Sequence, residues 1–151
     1  MPLHGFPLSG VVQTLRRGGQ GLSRGGPPVG AHVLVVEDEA DLRSALAELL
    51  SIWGYRVSTA CDGREALERL RAGQEPVVML LDLQMPVMNG DELLDEVTRD
   101  PPQRPLRIIV LSANVDVERR EAHDRVAAAL NKPVTADRLH ATLDAEAHAL
   151  E

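Results

Sequence analysis

The chain has 151 residues, 44% hydrophobic and 26% charged, ordinary values for a soluble globular protein with room for one domain and a real core. No apolar stretch approaches the length of a membrane span, and no charged start followed by an apolar run opens the chain, so neither a transmembrane segment nor a secretory signal is expected. The net charge is −7, but residues 1–30 carry Arg16, Arg17 and Arg24 and no acid; setting that +3 aside leaves −10 on the remainder, a poor electrostatic match for nucleic acid and a better one for basic partners or a divalent cation.

Residues 1–30 are rich in Gly and Pro (Gly18-Gly19, Gly25-Gly26-Pro27-Pro28) and poor in large apolar side chains. Such a segment cannot bury enough surface to offset the entropy of ordering, and reads as a flexible tail ahead of a domain at 31–151. From His32 onward the pattern turns regular. Short apolar runs at His32–Val36, Tyr55–Ala60, Val77–Leu81, Leu106–Leu111 and, more weakly, Ala127–Leu130 read as strands buried on both faces. Helical patterns lie between and after them. Leu42, Ala45, Leu46, Leu49, Leu50 and Trp53 form an apolar stripe at helical spacing. Asp62-Gly63-Arg64-Glu65 resembles a capping box opening a helix that carries Ala66, Leu67 and Leu70. Asp91–Thr98, Asp116–Val126 and Ala136–Leu150 supply three more helices, and Pro101, Pro102 and Pro105 close the first of these. Cys61, the single cysteine, rules out an internal disulfide framework, fits a reducing cytoplasm, and is expected as a small buried hydrophobe at the end of the second strand.

Five alternations of strand and helix predict an α/β fold: a five-stranded parallel sheet with helices on both faces. Right-handed crossovers leave few topologies, and the order 2-1-3-4-5 is expected. In that order a ligand crevice lies outside the carboxyl ends of strands 1 and 3.

The polar residues at those strand ends form an unusual set: Glu37 and Asp38 after strand 1, Asp82 after strand 3, Ser112 after strand 4, and Lys132 after strand 5. Lys132 is the only lysine; the other fifteen basic residues are arginine. A lysine is a compact charge on a flexible stem, suited to reaching one oxygen in a tight place. Each residue alone has a plain reading: Asp82 as a turn or cap, Glu37-Asp38-Glu39 as a solvated helix start, Ser112 as a cap, Lys132 as a surface charge. Together they specify a chemistry. Three carboxylates in one crevice repel each other and suit a hard cation such as Mg²⁺. Asp82 is then a competent nucleophile toward phosphorus, with Lys132 and Ser112 neutralising and hydrogen-bonding the phosphoryl oxygens.

The segments Val33-Leu34-Val35-Val36-Glu37-Asp38-Glu39, Leu81-Asp82-Leu83-Gln84-Met85-Pro86-Val87-Met88-Asn89-Gly90, Leu111-Ser112-Ala113 and Asn131-Lys132-Pro133 resemble, in order, the four signatures of the response-regulator receiver domain. The resemblance covers residues 31–151. It implies Asp82 as phosphoacceptor for a sensor histidine kinase or histidine phosphotransfer protein, and a downstream effector protein that reads the phosphorylated state. It implies Mg²⁺ held by Glu37, Asp38, Asp82 and the backbone carbonyl of Gln84, and a Ser112 that follows the phosphoryl group. It implies that Lys132 pairs with Asp82 across a cis Lys132–Pro133 bond, with Gln84 and Asn114 tuning the phosphate lifetime. Met85 and Met88 read as packing residues, and the five histidines form no site. Such a domain switches rather than turns over substrate, and stands alone, relays phosphate, or belongs to a larger hybrid kinase. One position departs from the pattern. Receivers usually carry an aromatic residue three positions before the motif lysine, where this chain has Ala129; the usual Gly between the fourth helix and fifth strand is also missing.

Two relatives by topology fit less well. A flavodoxin-like FMN binder would meet Glu37-Asp38-Glu39 where its phosphate loop belongs. A haloacid-dehalogenase-type phosphatase usually has a second Asp two residues past its nucleophile, where this chain has Gln84. A vestigial receiver acting as a phosphorylation-independent interaction domain is the remaining alternative.

Overall fold

The structure is a computed structural model and describes residues 28, 30–83, 90–113 and 126–151. Among the described residues nine elements follow one another: β1 (His32–Val36), α1 (Ala40–Ile52), β2 (Arg56–Ala60), α2 (Gly63–Ala72), β3 (Val77–Asp82), α3 (Gly90–Arg99), β4 (Leu106–Ser112), β5 (Val126–Asn131) and α4 (Ala136–Ala149). All strands are parallel, in the order β2-β1-β3-β4-β5. The expected tail lies almost wholly outside the described residues, as does most of the helix expected over Asp116–Val126. Val126 itself belongs to β5 rather than to that helix.

Side chains that alternate along each strand go to opposite faces of the sheet. Val33, Val35, Val78, Leu80, Ile109 and Leu111 pack against Leu46, Leu49 and Leu50 of α1 and Leu139 and Leu143 of α4. The interleaved residues Leu34, Val36, Met79, Leu81, Ile108 and Val110 pack against Leu67 and Leu70 of α2 and Leu93, Leu94 and Val97 of α3. Burying each such side chain contributes about 1.5–3 kcal/mol. The central strand β3 is buried at all six positions. β2 and β5 are not: β2 is only partly covered and β5 is buried only at Ala129 and Leu130. Both are edge strands with a neighbour on one side only, so burial on both faces holds for the inner strands alone.

Local signals place the helices. Asp62 accepts a hydrogen bond from the Glu65 amide at 2.9 Å and opens α2, and Glu65 reaches back to the Cys61 amide at 2.8 Å. The reciprocal bond therefore lands one residue before the cap. Cys61 is exposed, contrary to expectation: it stands past the end of the edge strand β2, in the turn fastened by Glu65, where neither face of the sheet covers it. Thr135 caps α4 through the Arg138 amide. Among the described residues no helix is long and apolar enough to cross a membrane.

Candidate functional site

Parallel strands that share a register end at one edge, and that edge collects the polar residues. The β1 ladder runs one residue past the strand, because the Glu37 amide donates to the Ala60 carbonyl at 3.0 Å. Asp82 is the last residue of β3, level with Leu111, and Ser112 is the last residue of β4, level with Asn131. The Lys132 amide donates to the Ser112 carbonyl at 2.9 Å. The chain then turns through a cis Lys132–Pro133 peptide, as the receiver resemblance implied.

Glu37, Asp82 and Ser112 are the buried polar residues of the described chain, at 3%, 4% and 1% exposure. Asp38 is exposed. One carboxylate oxygen from each of Glu37, Asp38 and Asp82 lies within 4.8 Å of the other two. Lys132 Nζ sits 3.2 Å from Asp82 Oδ1. Five of the six expected site residues thus converge. The sixth, Gln84, lies outside the described residues, as do Met85, Met88 and Asn114.

The electrostatics are those of an under-neutralised acidic cluster. Burial, and then the adjacent Asp82 carboxylate, push the Glu37 carboxyl up from 4.5 to about 8. The Glu39 amide, which donates to Glu37 Oε2 at 3.0 Å, and Lys132 oppose this only in part. Among the described residues the buried Glu37 Oε1 has no hydrogen-bond partner, although a buried acceptor ordinarily has one. Hard oxygen donors, a deficit of positive charge and an orphaned buried carboxylate oxygen fit a divalent cation such as Mg²⁺, and the exposed Asp38 side leaves room for its waters.

The motif glycine also gains a physical reason. A Cβ on Gly90 would lie 2.6 Å from Leu83 Cα, and the Gly90 amide donates to the Leu83 carbonyl at 3.1 Å. The start of α3 is therefore pressed against the residue that follows Asp82, an approach that only glycine permits. Sequence reasoning missed Arg43, whose Nη1 donates to the carbonyl of Glu37 at 2.8 Å and, at 3.4 Å, to that of Asp38; the available signal was an arginine in the first turns of the helix behind the acidic pair. A cavity of about 220 Å³ lined by His32, Ser58, Arg69 and Arg104 lies at the opposite edge of the sheet, away from this chemistry.

The family model for the response regulator receiver domain matches residues 33–144. The chain belongs to this family. Hybrid signal transduction histidine kinase D of Dictyostelium discoideum is 37% identical over 109 residues, 71% of this chain but 7% of the kinase. The receiver spans only 7% to 26% of the length of the curated relatives it first matches. Response regulator TrrA from Thermotoga maritima, solved in complex with Mg(2+)-BeF, is 28% identical with a TM-score of 0.65, over 75% of this chain and 96% of that one. Chemotaxis protein CheY4 of Vibrio cholerae is 30% identical with a TM-score of 0.67, over 81% of this chain and 99% of that one.

Proposed function

We propose that this receiver accepts a phosphoryl group on Asp82 from the phosphohistidine of a sensor histidine kinase or a histidine phosphotransfer protein, and that the phosphorylated form selects an effector protein. The observation that carries this reading is the buried Asp82 carboxylate with Lys132 Nζ at 3.2 Å, beside Glu37 and Asp38. A carboxylate oxygen of Asp82 attacks phosphorus, the P–N bond breaks, and the imidazole leaves with the bonding pair and takes its proton from solvent. Lys132 pairs with Asp82 Oδ1 at 3.2 Å before transfer and neutralises a phosphoryl oxygen after it. Ser112, at the end of the neighbouring strand, donates its hydroxyl to another. Glu37, Asp38 and Asp82, with the Gln84 carbonyl that the family resemblance implies, would hold Mg²⁺, which would neutralise charge on the transferring oxygens; the similarity to TrrA, solved with Mg(2+)-BeF, supports the same cation here. Phosphorylation adds about −1.5 to −2 charges, which biases the surrounding loops between two arrangements that a partner can distinguish.

A second reading, a phosphorylation-independent interaction domain, rests on Ala129. It is 5% exposed and packed among the residues that face α2 and α3. A methyl group there cannot swing inward to report the phosphoryl group as an aromatic ring would. Incubation with Mg²⁺ and acetyl phosphate, read by intact mass, separates the readings. A single Mg²⁺-dependent phosphoryl adduct, absent in Asp82→Asn, is the expected result. No adduct and no Mg²⁺ binding would leave only the interaction domain.

A further inference from the structure

We infer that Arg43 is a positioning residue for the cation site: it fastens the β1–α1 turn by its backbone so that the Glu37 and Asp38 carboxylates meet at Asp82. The inference rests on the reading of this cleft as a Mg²⁺-dependent phosphoacceptor site. Besides Arg43, the Glu39 amide bridges this turn by donating to Glu37 Oε2 at 3.0 Å. Glu39, at the N-terminal cap of α1, makes no side-chain capping bond, and its carbonyl accepts from the Arg43 amide at 2.9 Å. The Arg43 guanidinium reaches back over that first turn to the Glu37 carbonyl at 2.8 Å, with a longer contact of 3.4 Å to the Asp38 carbonyl. These two consecutive carbonyls belong to the two residues that bring β1's carboxylates into the cluster.

The contact is to the backbone and not to the acids. The charges that act on the Glu37 carboxyl are those of Asp82 and Lys132, so Arg43 is not the counter-ion of the cluster. Both contacts come from the one nitrogen Nη1, which the rigid, planar guanidinium fixes over the turn; a lysine ammonium on its flexible stem is a less fixed donor. Without it, two acidic residues that repel each other and Asp82 lose the bonds that oppose their drift toward solvent. The partners that orient metal ligands are commonly worth 10–100-fold in metal affinity.

The test is Mg²⁺ binding by calorimetry on the full chain in metal-stripped buffer, for the parent, Arg43→Ala and Arg43→Lys, with thermal unfolding in EDTA alongside. Arg43→Ala is expected to weaken Mg²⁺ about tenfold, the low end of that range, and Arg43→Lys to recover part of the loss. At saturating Mg²⁺ the rate of Asp82 phosphorylation by acetyl phosphate should return to within about twofold of the parent, as expected for a residue that acts through the binding step. Unchanged Mg²⁺ affinity in a folded Arg43→Ala overturns the inference and leaves the phosphoacceptor reading standing. Full recovery by Arg43→Lys also overturns it, since a donor fixed over the turn would then not be needed. If Arg43→Ala does not fold, Arg43→Lys decides: affinity equal to the parent overturns the inference, and an intermediate loss supports it. A parent that binds no Mg²⁺ and takes no phosphoryl group removes the phosphoacceptor reading and this inference with it.

Discussion

The raised Glu37 carboxyl makes a signed prediction about stability. In the unfolded chain the group loses its proton near 4.5, whereas in the fold it holds it until about 8. Between those values the folded state binds more protons than the unfolded state, so metal-free stability should fall as pH rises through the window. At 1.36 kcal/mol per pKa unit the full shift would amount to about 4–5 kcal/mol. The cleft is open to solvent on the Asp38 side and the charge is shared with Asp82, which screens the effect to roughly 1–3 kcal/mol. Glu37→Gln keeps an acceptor for the Glu39 amide and removes the titration. Urea unfolding in EDTA at about pH 5, 6.5 and 8 should show the variant gaining about 1–3 kcal/mol on the parent by pH 8 and little at pH 5. That gain corresponds to roughly 2–4 °C in Tm for each kcal/mol in a chain of this size. Saturating Mg²⁺ should stabilise the parent at pH 8 and the variant much less. A difference between the two proteins that does not change with pH, or a variant destabilised at pH 8, would refute the reasoning.

Gly90→Ala should destabilise the fold by about 1–3 kcal/mol through overpacking against Leu83, and should slow acetyl-phosphate labelling because the neighbouring residue is Asp82; chemical denaturation and intact mass check the two effects. Lys132→Met removes the charge that faces Asp82 Oδ1, and is expected to cut phosphorylation by at least about tenfold while Mg²⁺ binding persists; unchanged labelling would remove Lys132 from the chemistry. Tyr55→Phe deletes the hydroxyl that donates to Asp144 between the end of α1 and α4, and should cost about 1 kcal/mol in urea unfolding with no effect on labelling, since the pair lies away from the acidic cluster.

Much of this protein is legible in one dimension. Strand and helix periods alternate, so the layered parallel sheet and its order follow from short right-handed connections. The carboxyl edge follows from that order, and with it the meeting of Glu37, Asp38, Asp82, Ser112 and Lys132, because residues that end parallel strands must share an edge. Asp62 and Glu65 announce α2 because capping is a local interaction over three or four residues. The facts that escaped depend on contacts between distant or edge segments. Cys61 looked like a core residue, and is exposed because β2 is the last strand on its side of the sheet. Val126 fitted a helix, and is a strand residue because it pairs with Ile108.

The sequence by itself determined the chemistry available at the site: which side chains, on which strand ends, with a single lysine among fifteen arginines. Only the tertiary structure decided how that chemistry is set. It buries Glu37 beside Asp82 and so holds a proton on a carboxyl that would otherwise have lost it. It brings Lys132 within 3.2 Å of an aspartate fifty residues away in the chain. It presses α3 onto Leu83, so that position 90 must be glycine, and it sends Arg43 back over a turn to two carbonyls. Residue type is local information, whereas desolvation, pairing and close approach are sums over everything that packs nearby, and those sums exist only once the sheet has formed.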